Sequence, residues 1–189
     1  QIVKDDRVNV ISFTGGVVAS KNICSLAGIK KVILELGGNA ATIVHEDADL
    51  DRATQMCART AFSNSGQSCI SVQRIYVHKS ILDEFIEKFK NAVSKLKVGD
   101  PLSKDTDVGS MVNETEAQRV MSWVEDAIKQ GAQLLMGGKR NGAVMEPTVL
   151  FNPPKTSNVV CEEVFGPVVS IFPYETIEEA IEETNDSIF

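Results

Sequence analysis

The stretch KVILELGG, Lys31 to Gly38, determines how the front of this chain folds. A six-residue run that favours a β-strand is followed by two glycines, which end the strand and allow a sharp change of direction. A second β-rich run, VNVISF from Val8 to Phe13, lies upstream. The segment between them, Val17 to Ala27, is typical of a helix with Gly28 as its stop. We therefore predict a β-α-β unit and a domain boundary after Leu36.

Helix-like and strand-like segments alternate through the rest of the chain. DADLDRATQMCARTAF has helical spacing, VQRIYV is strand-like, and Leu82 to Leu96 is amphipathic. Asn113 and Thr176 are suitable caps for two further helices, and VVSIF predicts another strand. This order predicts the α/β class, with a mainly parallel sheet flanked by helices.

Composition limits the partners. The chain has 189 residues, 43% of them hydrophobic, which is enough for one domain or one domain plus part of another. There are 26 acidic and 19 basic residues, without a Lys/Arg-rich block, so we expect no nucleic-acid partner. The apolar runs have strand length, so we also expect no membrane span. A small-molecule partner fits better.

The cysteines and histidines indicate free thiols and no metal site. The four cysteines are irregularly spaced and form no C-x-x-C pair, which favours a reducing, cytoplasmic compartment. Cys57 has the helical spacing of a core residue. The two histidines, His45 and His78, have no partners at ligand spacing.

One cysteine, Cys69, lies in the small polar stretch SNSGQSCI, Ser63 to Ile70. Taken alone it is either a buried small residue or a nucleophile, since Gly66 permits a tight turn with backbone N–H groups beside the sulfur. Glu35 is similarly ambiguous. It is either ion-paired or, if buried and unpaired, a general base with a raised pKa. A thiol hydrolase would need a histidine partner for Cys69.

Four motifs in order resemble the aldehyde dehydrogenase superfamily across essentially the whole chain: FTGG, LELGG, SGQSC and EEVFGP. The resemblance implies that Cys69 attacks an aldehyde to form a thiohemiacetal and then a thioester. It implies that Glu35 activates the water that releases a carboxylic acid. NAD or NADP is the implied cofactor, and the implied fold is that of the family's catalytic domain.

The resemblance also implies six cofactor-binding positions: Gly15, Gly16, Leu36, Gly37, Glu163 and Phe165. Glu163 matches the glutamate that binds the nicotinamide ribose, and Phe165 matches the aromatic residue beside the nicotinamide. From the residues alone, the glycines are explained as turn residues, Glu163 as a solvated acid and Phe165 as a core anchor. The chain departs from the family at Gly16, where Ser is usual, at Ser20, where Gly is frequent, and at Asn39, where Lys is common.

By the same resemblance, residues 1–36 are the end of an NAD(P)-binding domain and residues 37–189 a catalytic domain truncated at its C-terminus. The absence of an initiator methionine and the end at NDSIF also predict a fragment. We expect the isolated chain to be inactive and the full-length protein to form a homo-oligomer. The alternatives are a CoA-acylating enzyme, which Glu35 disfavours, and a non-catalytic assembly module. The motifs identify neither the aldehyde nor the choice between NAD and NADP.

Overall fold

The computed structural model describes residues 1–189, which form two compact units. The first consists of Gln1–Gly38 together with Phe189, and the second of Asn39–Ile188. The assignment of residues 1–36 and 37–189 to cofactor and catalytic domains stays a prediction.

The first unit is the expected β-α-β arrangement. Strand β1, Val10–Thr14, and strand β2, Lys31–Glu35, pair in parallel, with Thr14 opposite Glu35. Helix α1, Val17–Ala27, connects them. Gly28 ends the helix with a φ of 62°, a left-handed conformation that glycine adopts without strain.

The second unit is built on a five-stranded sheet in the order β3-β4-β9-β8-β5. Its neighbours are parallel except for the β8-β5 pair, so the predicted mainly parallel sheet is confirmed. A two-stranded hairpin, β6 with β7, occupies the turn-rich stretch after β5 and was not predicted. The strands are β3 (Ala40–Val44), β4 (Val72–His78), β5 (Gln133–Met136), β6 (Arg140–Asn141), β7 (Val144–Met145), β8 (Thr148–Phe151) and β9 (Val168–Tyr174).

Helices cover both faces of this sheet. Alternate residues of the central strands point to opposite faces, so Ile75 and Val77 join one buried cluster and Tyr76 joins the other. Helices α2 and α3 pack in the first cluster, and α4 packs in the second. The helices are α2 (Leu50–Phe62), α3 (Leu82–Ser94), α4 (Glu114–Lys129), α5 (Asn158–Cys161) and α6 (Ile177–Asn185).

Side-chain caps fix where three of these helices begin. Asp49 accepts a hydrogen bond from the Arg52 N–H at 3.1 Å at the start of α2. The predicted cap of α4 is confirmed, because Asn113 accepts from the Glu116 N–H at 2.8 Å. Thr176 caps α6 in the same way. None of the helices combines the length and apolar character needed to cross a bilayer.

Candidate active site

The loop that carries Cys69 joins α2 to β4 and has an unusual backbone. Asn64, Ser65 and Gly66 have φ values of 52°, 57° and 70°, so three successive residues lie in the left-handed region. Two of them have side chains, for which this conformation is strained. The buried Ser65 hydroxyl donates to the Gly109 carbonyl at 3.0 Å and helps to hold the loop in this shape.

Both ends of the loop are attached to the last turn of α2. The Ser71 hydroxyl donates to the carbonyls of Thr60 at 3.2 Å and Ala61 at 3.0 Å, so the chain after the loop is tied back to the helix before it. Cys69 lies inside this closed loop with an exposed, unpaired thiol. The alternative that Cys69 is a buried core residue is therefore wrong, and the thiol is accessible to a substrate.

The Cys69 loop contacts the EEVFGP segment backbone to backbone. A Cβ atom on Gly66 would lie 2.1 Å from the carbonyl oxygen of Gly166, a separation that no side chain allows. Glycine is therefore required at Gly66 for space as well as for its positive φ. The contact brings the loop of the predicted nucleophile against the segment of two predicted cofactor-binding residues.

Two side chains hold the EEVFGP segment around Glu163. The buried Gln73 amide donates to the Glu162 carbonyl at 2.6 Å and accepts from the Val164 N–H at 3.1 Å. Arg119 donates to the Val164 carbonyl at 2.9 Å. The backbone on each side of Glu163 is thus fixed. Our sequence prediction missed both residues; Gln73 could have been recognised as a polar residue within an apolar strand.

Phe165 lies in the same segment with a φ of 50° and 42% of its surface exposed. A large aromatic residue held in a left-handed conformation and facing solvent is not a core anchor. The alternative that Phe165 is part of the core is therefore wrong. An exposed ring of this kind suits contact with a flat ligand group.

Glu35 and the predicted glycines lie in the first unit. The Gly15 N–H donates to the Glu35 carbonyl at 3.0 Å, which ties the turn after β1 to the end of β2. The Glu35 side chain is exposed, and Leu36 and Gly37 follow it half-buried. The premise that Glu35 is buried is wrong for this structure, because β2 alternates and its residue 35 shares the exposed face with Ile33.

The N-terminus of α1 fits a phosphate group of a dinucleotide. Gly16 caps the helix, and a Cβ atom there would meet nothing within 4 Å. The first intrahelical bond runs from the Ser20 N–H to the Gly16 carbonyl, so the preceding amides are free to bind an anion. The Ser20 hydroxyl is buried and donates to the Val17 carbonyl at 2.7 Å. It therefore points into the helix, and backbone amides supply the donors.

Asn39, the position where the family usually has Lys, has a structural role in the second unit. Its buried side-chain amide donates to the Val160 carbonyl at 2.5 Å. Its own carbonyl accepts from the buried guanidinium of Arg74 at 3.0 Å. Asn39 therefore anchors the start of this unit to the segment before EEVFGP.

Both histidines lie at the far end of β4 from Cys69. His45 follows β3, His78 ends β4, and their rings lie 5.5 Å apart beside Tyr174. Cys69 precedes the first residue of β4, and a strand of that length spans about 20 Å. The chain has no other histidine. A thiol hydrolase with a histidine base from this chain is excluded.

Comparison with known proteins gives the family. The model of the aldehyde dehydrogenase family matches residues 1–189. The chain belongs to the aldehyde dehydrogenase family. The resemblance inferred from the four motifs is thereby confirmed, and so is the fold class.

Three similar proteins illustrate the match. A 3-sulfolactaldehyde dehydrogenase of Priestia aryabhattai is 47% identical over 186 residues, covering 98% of this chain and 39% of the relative. Aldehyde dehydrogenase 21 of Physcomitrella patens, solved with succinate, is 42% identical with a TM-score of 0.93. The match covers 97% of this chain and 38% of that protein. GapN of Methanocaldococcus jannaschii, solved with NADP, is 42% identical with a TM-score of 0.94. That match covers 98% of this chain and 40% of GapN. The chain thus spans about two fifths of the length of these relatives.

Proposed function

We propose that the longer protein to which this chain belongs oxidises an aldehyde to a carboxylic acid, with NAD or NADP as cofactor. One observation supports this most strongly. The exposed thiol of Cys69 lies on a closed, strained loop whose backbone contacts the EEVFGP segment. Strain and exposure together are typical of a functional site rather than of a core position.

Cys69 is the proposed nucleophile. Its sulfur, as the thiolate, attacks the carbonyl carbon of the aldehyde and forms a thiohemiacetal. The backbone N–H of Cys69 is not used in the loop's own backbone hydrogen bonds, so it can donate to the oxygen that gains negative charge. A bound nicotinamide supplies the hydride acceptor for this chemistry, and the product held on Cys69 is a thioester.

Glu35 is the proposed base of the second half-reaction. Its carboxylate takes a proton from water, and the water oxygen attacks the thioester carbon and displaces the Cys69 sulfur as the leaving group. The exposed position of Glu35 suits a group that exchanges protons with solvent. A CoA thiol would need no such base to activate water, so Glu35 favours hydrolysis over acyl transfer to CoA.

The cofactor contacts are proposed in each unit separately. In the first unit the free amides at the start of α1 would hold a phosphate, and residues at the end of β2 would flank the nicotinamide. In the second unit Glu163 would bind the ribose and Phe165 would contact the nicotinamide. GapN was solved with NADP, which supports a nicotinamide cofactor here. The proposed positions are Gly15, Gly16, Leu36, Gly37, Glu163 and Phe165.

A cytoplasmic location and a homo-oligomeric state of the full-length protein are part of the same proposal. The four cysteines are all unpaired, which fits a reducing compartment. Exposed apolar side chains such as Ile70 and Val112 fit further contacts of this chain within a larger assembly.

The test is the Cys69→Ser variant of the full-length protein, with Cys24→Ser as control because Cys24 is also exposed and unpaired. Wild type and Cys24→Ser should form NADH or NADPH when an aldehyde is added. Cys69→Ser should lose at least about a thousandfold in kcat, since the nucleophile is gone. Full activity of Cys69→Ser would refute the mechanism.

A second variant, Glu35→Gln, tests the base. It should release about one equivalent of NADH or NADPH per site rapidly and then stall. Mass spectrometry should find the acyl group on Cys69, and hydroxylamine should remove it. Rapid steady turnover by this variant would assign water activation to another group. The 189-residue chain alone should form no reduced cofactor.

A further inference from the structure

A cavity of about 300 Å³ opens beside the Cys69 loop. All of its lining residues lie between Arg59 and Ser71, on the last turn of α2 and on the loop itself. Ser68 and Ile70, the two neighbours of Cys69, are among them. The volume is at the small end of the range of ligand pockets, about 300–1,000 Å³. The cavity therefore suits a small molecule bound against the two residues that flank Cys69.

Arg59 gives this cavity its charge. No carboxylate lies among the lining residues, and the other polar groups there are hydroxyls and amides. The Arg59 guanidinium is absent from the ion pairs of the chain, although the chain carries a net charge of −7. An unpaired guanidinium offers a fork of N–H donors that matches a trigonal anionic group.

We propose that Arg59 selects aldehydes that carry an anionic group, a carboxylate or a sulfonate, a few bonds from the carbonyl. This inference rests on the proposed function, because it takes Cys69 as the group that attacks the carbonyl. Cys69 would hold the reacting end of the substrate while Arg59 binds its anionic end across the cavity. The hydroxyl of Ser68, which also lines the cavity, supplies a further donor, whereas the Thr60 hydroxyl already donates to the Met56 carbonyl at 2.8 Å.

A structural role for Arg59 is the competing explanation. Arg59 also borders a second cavity of about 360 Å³, and Asp107 is among the residues that line it. The Asp107 carboxylate accepts from the Lys97 N–H at 2.9 Å. If Arg59 served mainly to pair with Asp107, its loss would weaken folding and would affect all substrates alike.

The experiment compares two aldehydes of the same chain length, 4-oxobutanoate and butanal, in the full-length enzyme. Wild type should have the higher kcat/KM for 4-oxobutanoate. Arg59→Gln should lower the ratio of kcat/KM for 4-oxobutanoate to that for butanal by about 10- to 100-fold, mainly through KM, as expected for loss of a charged hydrogen bond. Arg59→Lys should keep part of the preference.

Arg52→Gln is the matched control. Arg52 lies on the same helix, carries the same charge and has no ion pair, but it lines a different cavity with Thr42 and Met56. Its removal should leave the substrate ratio within about twofold, because exposed charges at a distance are screened by salt. Added salt should lower kcat/KM for 4-oxobutanoate in wild type and should have little effect in Arg59→Gln.

An unchanged ratio in Arg59→Gln, or equal losses for both aldehydes, would overturn the proposal. Equal losses with a lowered melting temperature, reproduced by Asp107→Asn, would establish the structural role instead. Failure of the proposed function is distinguishable, since wild type would then form no reduced cofactor with either aldehyde.

Discussion

At the scale of single residues, the cysteines of this chain lie in opposite environments. Cys57 is 4% exposed within the core beneath α2, and burial raises its pKa to about 11. Cys69, twelve residues on, is exposed on a strained loop. Burial disfavours the thiolate, which is the reactive form, so the two thiols should behave differently toward alkylating reagents.

We expect iodoacetamide at pH 8 to modify Cys69, Cys24 and Cys161 in the native chain and to leave Cys57 unmodified until the chain unfolds. Peptide mass spectrometry of partially modified protein checks this. Modification of Cys57 at the rate of Cys69 under native conditions would contradict the burial of the helix α2 face.

Cys57 also predicts a pH dependence of stability. In the unfolded chain its thiol ionises near pH 9, whereas the folded chain holds the proton up to about pH 11. The folded state binds more protons in this window, so stability should fall as pH rises from 9 to 11, by up to about 3 kcal/mol. Urea unfolding as a function of pH measures the slope, and Cys57→Ala should reduce it.

Gly66 predicts a large effect from one added carbon atom. Gly66→Ala places a Cβ atom 2.1 Å from the Gly166 carbonyl oxygen at a φ of 70°, so both a clash and backbone strain result. Gly142→Ala isolates the strain, since Gly142 has a φ of 57° and nothing within 4 Å. We expect Gly142→Ala to cost about 1 kcal/mol in unfolding free energy and Gly66→Ala about 3 kcal/mol. Similar costs for the two variants would show that the backbone contact is loose.

At the scale of elements, β4 organises the second unit's part of the site. Cys69 precedes the strand, and Gln73 on the strand fixes the backbone on both sides of Glu163. One strand thus positions the nucleophile loop and the EEVFGP segment together. A shift of β4 by one residue would move Gln73 to the opposite face of the sheet and release the segment.

Gln73→Leu in the full-length protein should raise the KM for NAD or NADP about tenfold with a smaller change in kcat. The reason is that Leu keeps the volume of Gln73 but cannot bond the Glu162 carbonyl or the Val164 N–H. Gln133→Leu is the control, because Gln133 is exposed on β5, the edge strand farthest from β4 in the sheet. Equal KM values in wild type and Gln73→Leu would mean that Glu163 needs no such support.

Local pattern predicted most of the elements. The Gly-Gly break after β2, the cap at Asn113 and the buried face at Cys57 follow from rules that act within a few residues. The tie from Ser71 to the end of α2 and the clamp by Gln73 depend on which segments meet in space. Their partners lie 10 and about 90 residues away in sequence, so no local pattern reveals them. The exposure of Glu35 was missed for a different reason. Apolar neighbours on a strand do not determine which face of that strand is buried.

At the scale of the whole molecule, the two units differ in how much they bury. The only fully buried residues of the first unit are Ser20 and Ala27, whereas the second unit contains two clusters of buried apolar side chains. Segments with fewer buried apolar contacts unfold locally more often. The first unit should therefore open more often than the second in the 189-residue chain.

Hydrogen exchange followed by mass spectrometry tests this difference. Amides of β1 and β2 should exchange at least about a hundredfold faster than amides of β4 and β9, which hydrogen-bond within a covered sheet. Comparable protection in the two sheets would indicate that the first unit is stabilised by more than its own buried residues.

The order of the strands has a consequence for how a ribosome makes this protein. The last strand of the chain, β9, lies in the middle of the sheet between β4 and β8. About a hundred residues separate Arg74 from its partner Ser170, so at roughly 5–20 residues per second the nascent chain waits roughly 5–20 s for the strand that joins its two halves. Throughout that time β4 has an unpaired edge that can join other chains, and β8, made shortly before β9, has one for the last part of it. Synthesis of this protein should therefore depend on chaperones that shield growing chains until β9 is made.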